Sequence, residues 1–434
     1  MSNDESKVEL VKSLIRRLHE GARPEELSRE FGKLLSRVSP FEIVLIEQML
    51  VREGVPVSEV LRLCDLHVQL FREYLTQRVL EGVPEGHPLD MLVGENELIL
   101  KWGEELGLHA NIVLMASGDE LGRGYEELVK VVEALKGLRL HYRKIQMLVF
   151  PYLERRGIVA VPRVLWGRED QVLTKVRELR ELARKTGGDQ EAMKEVARKA
   201  LEVSKEVGEL VFRENKVLFP AVRVLFTEGE WATIAEIAEE MGYLVPATAK
   251  WVPGARPVMP YEVIPEVSEE QLKALPPEFR ELALKGLEVD TYSVKKEGDL
   301  ELRTGFLSRE EVEAIFESLP LEITYADEND RVRFFTKSKH VKGFVRTKTI
   351  LGRRLLYCHP PRLEGMVRVN VERLKRGESE LREYWTMAGD RIIRVIITFV
   401  RDEEGRYLGT LEIVEDLTEI LRNPEEVMRK VVIL

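Results

Sequence analysis

Apolar residues recur every three or four positions along most of the first 245 residues, which is the spacing of one face of an α-helix. The first such run stops at Gly21, and a later run opens with Ser39 as N-cap and Glu42 closing a capping box. Residues 1–80 are therefore predicted to form a small helical domain. No constellation of side chains in it is typical of a catalytic site.

Longer amphipathic runs follow in residues 84–245, each with charged residues opposite its apolar stripe. Two of them end in similar segments, IQMLVFPY at 145–152 and ENKVLFPA at 214–221. We predict an antiparallel helical bundle made of two similar halves. Gly103 and Gly107 favour an early end to its first helix.

The pattern changes after the bundle. Residues 246–306 are rich in proline and are predicted to be a linker or draped segment, with a helix at 269–286 and a strand pair around 287–304. Residues 307–420 give two strands, then helices, then three strands, and 421–434 form a tail. The predicted fold class is multidomain, α followed by α+β, ending in a five-stranded antiparallel sheet with helices.

Composition narrows the classes of function. The 434 residues hold 66 Lys and Arg against 76 Asp and Glu, and this net charge of −10 argues against a nucleic-acid-coating protein. Hydrophobic residues, at 44%, suffice for packed cores. Only two cysteines, no leader-like N-terminus and no long uncharged apolar stretch predict a cytoplasmic protein that does not enter a membrane.

The bundle contains histidines that could serve a metal, because inward residues of facing helices converge at a bundle centre. The chain resembles the hemerythrin-like HHE family in GHP at 86–88, HY at 141–142, FPYLE at 150–154 and ENKVLFP at 214–220. The resemblance implies iron as a cofactor. It matches His87 and His141 to histidine ligands and Glu214 to a carboxylate ligand.

The chain departs from the family pattern at several ligand positions. Ile145 and Gln146 stand where the family has a carboxylate, and Leu210 stands where another histidine could sit. Glu169 replaces a further histidine, and Glu95 is among the carboxylates that could add oxygen ligands. The remaining donors fall short of the five histidines and two carboxylates that the family implies, so we expect a bundle that kept its shape and lost its iron site.

The other two regions also resemble known domains. HEGARPEELSREFGKLLSRVSPFEI at 19–43 looks like an uncharacterised domain that precedes HHE bundles. LPLEITYADENDRVRFF at 319–335, ILGRRLLYCHPPR at 350–362 and EDLTEI at 415–420 resemble a PAS domain. A PAS domain implies sensing of a small ligand, of redox state or of a partner protein.

Two pairs of residues carry the PAS expectations. By the resemblance, Asp416 and Thr418 form the exit motif that links the last strand to the following helix and couples the signal. Cys358 and His359 would bind haem or a metal, or react in redox chemistry. Alternatively, the two prolines that follow them only fix a helix start.

Two further pairs and one single residue are expected to have structural roles. Cys64 and His67 share one side of an apolar helix and are expected in a core. Glu105 and His109 are expected to be an exposed pair, and His19 a favourable charge at a helix C-terminus.

The leading hypothesis is a cytoplasmic sensory or regulatory protein that binds a small ligand, haem or flavin in a PAS pocket and couples it to the helical modules. The alternatives are an HHE-type non-haem iron protein handling oxygen, nitric oxide or iron, and a structural adaptor. The chain has no nucleophile elbow, phosphate loop or His-Glu-x-x-His pattern, so we do not expect an enzyme. We expect a homodimer or a signalling partner protein, and neither nucleic acid nor a membrane. About 14 residues follow Ile420, so we expect the signal to pass to the helical part or to a partner and not to an output domain after the PAS domain.

Overall fold

The computed structural model describes residues 5–36, 38, 40–57, 59–60, 70, 75, 80, 82–263, 288–341 and 344–432. It divides the chain into two compact units, residues 1–293 and residues 294–434. Ser39, Cys64, His67 and the helix predicted at 269–286 lie outside the described residues. No helix in the described ranges has the length and apolar character needed to cross a membrane.

The regular elements described in the first unit are helices. It begins with helices α1, α2 and α3 and continues into the longer helices of the bundle. Its helices are α1 (Glu5–His19), α2 (Pro24–Leu35), α3 (Pro40–Arg52), α4 (Pro88–Met115), α5 (Gly118–Ala134), α6 (Leu138–Lys144), α7 (Phe150–Arg155), α8 (Ala160–Lys185), α9 (Gln190–Arg213), α10 (Phe219–Leu225) and α11 (Glu228–Met241).

One apolar core runs through both helical regions of this unit. Gln48 of α3 joins them with a polar contact, because its side-chain oxygen accepts hydrogen bonds from the backbone N–H groups of Val159 and Ala160, each at 2.8 Å. No side chain of α8 itself caps that helix start. The N-terminal region therefore supplies the cap that the bundle helix lacks.

Helix α4 does not end at its glycines, contrary to the sequence prediction. It continues through Gly103 and Gly107 to Met115, because both glycines face α9. A Cβ at Gly107 would lie 2.9 Å from the hydroxyl of Ser204, and that hydroxyl donates to the carbonyl of Gly103 at 2.7 Å. The glycines permit close helix packing rather than breaking the helix.

The two similar segments noted in the sequence form the same structure. A single π-helical turn precedes each Phe-Pro pair, at Ile145–Val149 between α6 and α7 and at Glu214–Leu218 between α9 and α10. A proline has no N–H to donate and crowds the preceding turn, so each helix widens there. Both wide turns lie beside the polar centre of the bundle.

Residues after α11 lie along the bundle as far as the described segment extends. The backbone N–H of Val258 donates to the carbonyl of Gly229 at 3.0 Å, and the hydroxyl of Tyr152 donates to the carbonyl of Val258 at 2.7 Å. Further along the chain, the backbone N–H of Asp290 donates to the carbonyl of Arg155 at 3.1 Å. The start of the predicted 287–304 strand pair is therefore bonded to the end of α7 and not to another strand.

The second unit is an antiparallel sheet with helices, as predicted. Its main sheet has the strand order β4-β3-β7-β6-β5, and β1 and β2 form a separate hairpin. Its elements are β1 (Leu300–Leu302), β2 (Gly305–Leu307), α12 (Arg309–Ser318), β3 (Glu322–Asp327), β4 (Val332–Phe335), α13 (Pro361–Lys375), β5 (Leu381–Ala388), β6 (Arg391–Arg401), β7 (Tyr407–Asp416), α14 (Thr418–Arg422) and α15 (Pro424–Arg429).

The strand register shows which side chains share the sheet face that α13 covers. Asn370 of α13 donates a hydrogen bond to the hydroxyl of Tyr384 on β5. Tyr384 pairs with Val395, Val395 with Val414, and Val414 with Glu322, so these residues lie in one row on that face. The row contains most of the small apolar core of the unit and ends at a carboxylate.

Candidate functional site

The centre of the bundle contains a histidine held between two carboxylates. The Nδ1 atom of His141 lies 2.7 Å from Glu95 Oε2, and its Nε2 atom lies 3.0 Å from Glu214 Oε2. All three side chains have no exposed surface. Burial alone would lower the pKa of His141, but the charge and hydrogen bond of Glu214 and then those of Glu95 raise it to about 9. Both ring nitrogens then act as donors.

Lys144, one helical turn after His141, is a second buried cation of this cluster. Its ammonium donates to Glu95 Oε1 and, at 2.7 Å, to the backbone carbonyl of Gly242. It also lies 4.7 Å from the centre of the Tyr243 ring. Burial lowers the pKa of Lys144, and the hydrogen bond to Glu95 opposes that effect.

Two positions that depart from the HHE pattern contact each other beside this cluster. The amide of Gln146 donates to Glu169 Oε2 at 2.7 Å. Burial, and then the nearby charge of Glu214, raise the pKa of Glu169 to about 8. At neutral pH Glu169 is mostly protonated, which suits a neutral amide partner.

His87 lies apart from this cluster. It is the N-cap of α4, where its Nδ1 accepts from the backbone N–H of Leu89 at 3.1 Å, and its ring lies edge-on to Trp231 and Trp251. It precedes Glu95 by eight residues, roughly 12 Å along a helix axis. Burial, and then the charge of Arg223, lower its pKa to about 4. Of the three residues matched to iron ligands, the structure brings His141 and Glu214 together and leaves His87 outside.

The residues present do not fit a pair of iron ions. Both nitrogens of His141 and both oxygens of Glu95 are engaged with protein partners. One oxygen each of Glu214 and Glu169 has no hydrogen-bond partner among the described residues, and two such oxygens are too few donors for two iron ions. Leu210 and Ile145 are buried among apolar side chains. Within the described ranges, no group of three or more His, Cys, Asp or Glu side chains could hold a metal ion.

The second unit contains its own buried charged cluster on the face that α13 covers. Arg346 lies between two carboxylates, with Nη1 at 2.6 Å from Glu322 Oε2 and Nη2 at 2.8 Å from Glu412 Oε1. Glu412 pairs with Thr324 across the strands, so both face α13. No described residue bonds the buried Thr324 hydroxyl. The cluster combines positive, negative and hydroxyl groups on one sheet face.

Cys358 and His359 lie in a short helical turn before α13. The thiol of Cys358 lies 3.6 Å from the carbonyl of Arg354, and Nδ1 of His359 lies 2.9 Å from the carbonyl of Leu355. Partial burial raises the pKa of the Cys358 thiol, which disfavours the reactive thiolate. Helix α13 starts at Pro361 with Pro360 as its N-cap.

Asp416 and Thr418 join the last strand to α14. The backbone N–H of Thr418 donates to Asp416 Oδ1 at 3.1 Å, and the Thr418 hydroxyl accepts from the backbone N–H of Ile392 at 2.8 Å. The pair therefore ties the end of β7 and the start of α14 to the neighbouring strand β6.

Sequence reasoning missed Lys144 and Arg346. The spacing of Lys144 three residues after His141 places both on one helix face, and a lysine within an apolar stripe is a signal that could have been used. No local pattern indicates Arg346, because its carboxylate partners lie 24 and 66 residues away along the chain.

Comparison with known families identifies three regions in this chain. Residues 11–77 match a family of unknown function, DUF438, residues 87–222 match the hemerythrin HHE cation binding domain, and residues 312–418 match a PAS domain. These matches confirm the predicted order of an N-terminal helical domain, a hemerythrin-like bundle and a C-terminal PAS domain. The PAS and hemerythrin domains support a sensory or regulatory protein.

Individual proteins add little to these matches. A solved structure described as a C-terminal domain from Streptococcus mutans is 28% identical, covers 30% of this chain and 98% of its own, and has a TM-score of 0.27. The search of curated proteins finds no match.

Proposed function

We propose that this sensory protein binds a small polar molecule at the α13 face of its PAS sheet, and that the helical unit responds to the binding. The observation that carries the proposal is Arg346 between Glu322 and Glu412 on that face. Charged groups on an inner sheet face cost desolvation energy and weaken the apolar core, so a packing role alone does not favour them.

The three charged side chains are also suited to ligand exchange. Their exposed fractions are 9% for Arg346, 8% for Glu322 and 20% for Glu412, so the cluster is buried but not sealed. A guanidinium binds planar anionic groups through two parallel hydrogen bonds, and a ligand carboxylate or phosphate could replace one glutamate. The free hydroxyl of Thr324 supplies a further hydrogen bond.

The first experiment is an absorbance spectrum and native mass spectrum of the full chain purified without added cofactor. We expect a bound small molecule, or a thermal shift when flavin mononucleotide, haem and a panel of carboxylates and phosphates are added singly. Absence of a bound molecule together with absence of any shift would contradict the proposal.

A matched pair of variants then locates the binding. Arg394 also lies between two carboxylates on neighbouring strands, Glu383 at 2.9 Å and Glu415 at 3.4 Å, but it is on the opposite sheet face. We expect Arg346→Gln to weaken binding of the detected molecule by roughly tenfold or more, and Arg394→Gln to leave it unchanged. Equal effects of the two variants would place the ligand elsewhere.

The response of the helical unit is tested by hydrogen exchange of the full chain with and without that molecule. We expect altered protection in residues 88–241 as well as in the PAS domain. A change confined to the PAS domain would contradict the coupling and leave the binding intact. The scarcity of cysteine supports a cytoplasmic setting for this activity.

A further inference from the structure

The buried cluster of the bundle contains its own cation. Lys144 brings a positive charge to Glu95, and the two ring nitrogens of His141 bond to Glu95 and Glu214. Glu169 beside them accepts from an amide. A metal cation bound here would therefore have to displace Lys144 from Glu95 or break a hydrogen bond of His141.

The same cluster also contacts three consecutive residues that follow α11, Gly242–Leu244, which we call the exit segment. Lys144 donates to the carbonyl of Gly242 and lies over the ring of Tyr243. Glu95 Oε1 accepts from the backbone N–H of Leu244 at 2.8 Å. Every residue of the exit segment thus contacts one member of the Glu95–Lys144 pair.

The backbone turn at Gly242 indicates that the Glu95–Lys144 pair holds the exit segment against the bundle. Gly242 has a φ of +86°, a backbone conformation that ends α11 and turns the chain back over the bundle. Lys144 reaches the carbonyl at this turn from a helix 98 residues earlier in the chain. The turn is therefore bonded to the bundle centre rather than only to its own helix.

We propose that the bundle centre works without a metal ion, that Lys144 supplies the positive charge in place of one, and that the Glu95–Lys144 pair fastens the exit segment to the bundle. In this chain, the position of the family's cation site holds side chains that bind the exit segment, and we call this contact the latch. This inference does not depend on ligand binding by the PAS domain.

The test of the metal part uses the full chain expressed in medium supplemented with iron, zinc and manganese. We expect elemental analysis to find far less than one transition-metal ion per chain, and EDTA, Fe²⁺, Zn²⁺ and Mn²⁺ to leave the melting temperature unchanged. One or more bound ions per chain, whose removal by EDTA lowers the melting temperature, would overturn the proposal.

The test of the latch compares Lys144→Met with Lys130→Met. Lys130 is an exposed lysine of the same bundle that pairs with Glu127 at 2.7 Å. We expect Lys144→Met to speed exchange of the Leu244 amide by roughly tenfold, and Lys130→Met to leave it unchanged. Unchanged exchange in a folded Lys144→Met protein would refute the latch.

A double variant keeps the test usable if Lys144→Met fails to fold. Glu95→Gln combined with Lys144→Met removes one charge of each sign and leaves Glu214 balanced by His141. We expect the double variant to melt at a higher temperature than Lys144→Met alone and still to show fast exchange of the Leu244 amide. If the double variant melts at a lower temperature, the charge-balance argument is wrong.

Discussion

Both units bury a cation between carboxylates, but they enclose it differently. In the bundle, His141 and both of its glutamates have no exposed surface, and long apolar helices surround them. In the PAS domain, Arg346 and its partners keep between 8% and 20% of their side-chain surface exposed. The fully buried cluster around His141 suits a structural role, and the partly exposed cluster around Arg346 suits exchange with a ligand.

The difference follows from the secondary structure around each cluster. The bundle places its charged groups at the centre of several long helices, where each can be surrounded on every side. The PAS sheet has a thin core, and its buried apolar cluster among the described residues consists of Ile393, Val395 and Val414. Charges on that sheet face therefore lie close to the surface.

The largest expected effect concerns the sealed cluster. His141→Ala leaves Glu95 and Glu214 facing each other without their shared partner, so we expect the bundle to lose about 3–5 kcal/mol of unfolding free energy. Urea denaturation followed by circular dichroism measures this loss.

The half-exposed His109 on α4 supplies the control, since His109→Ala is expected to cost less than about 0.5 kcal/mol. If His141→Ala proves as mild as His109→Ala, the bundle centre tolerates substitution as well as the bundle surface does, and the comparison fails.

The second-largest expected effect is that the unfolding free energy of the bundle depends on pH. The pKa of Glu169 is raised from 4.5 to about 8 on folding, so the folded chain binds a proton more tightly than the unfolded chain. Stability from this group is greatest below pH 4.5 and falls as the pH rises to 8. The raised pKa of His141 adds a decline from pH 6.5 to about 9.

Glu169→Gln tests this assignment, because glutamine cannot titrate. We expect it to remove on the order of 2 kcal/mol of the decline between pH 5 and pH 8, measured by urea denaturation at a series of pH values. The exposed Glu97→Gln is expected to leave the profile as it is in the wild type. A profile unaffected by Glu169→Gln would show that this carboxyl is not buried as described.

The smallest expected effect concerns the PAS domain. Thr418→Ala removes the acceptor for the Ile392 amide and the hydroxyl contact with Asp416, and we expect it to cost about 1 kcal/mol. Exchange of the Ile392 amide should become faster, while residues 88–241 keep their protection. Thr418→Ser retains the hydroxyl and should behave like the wild type, and a loss in Thr418→Ser equal to that in Thr418→Ala would make the methyl group responsible instead.

The sequence was sufficient for the order of domains and the fold class, and the loss of the iron site stays a prediction. Ile145, Gln146 and Leu210 each lacked a suitable donor, and this could be read without coordinates. The sequence was misleading at Gly103. A glycine weakens a helix, but it also lets a neighbouring helix approach closely, and the sequence alone does not show whether such a neighbour is present. It offered a signal for Lys144 in its spacing from His141, but none for the partners of Lys144, which lie 49 and 98 residues away.

The cap that Gln48 provides for α8 shows that modules recognised separately need not be separable in folding. Residues 11–77 and 87–222 match different families, yet the first backbone amides of a bundle helix find their acceptor in the other module. A recombination event that exchanged the N-terminal module for an unrelated one would leave two backbone amides, one of them buried, without this acceptor. Because α8 depends on Gln48 in this way, we expect the two modules to be inherited together.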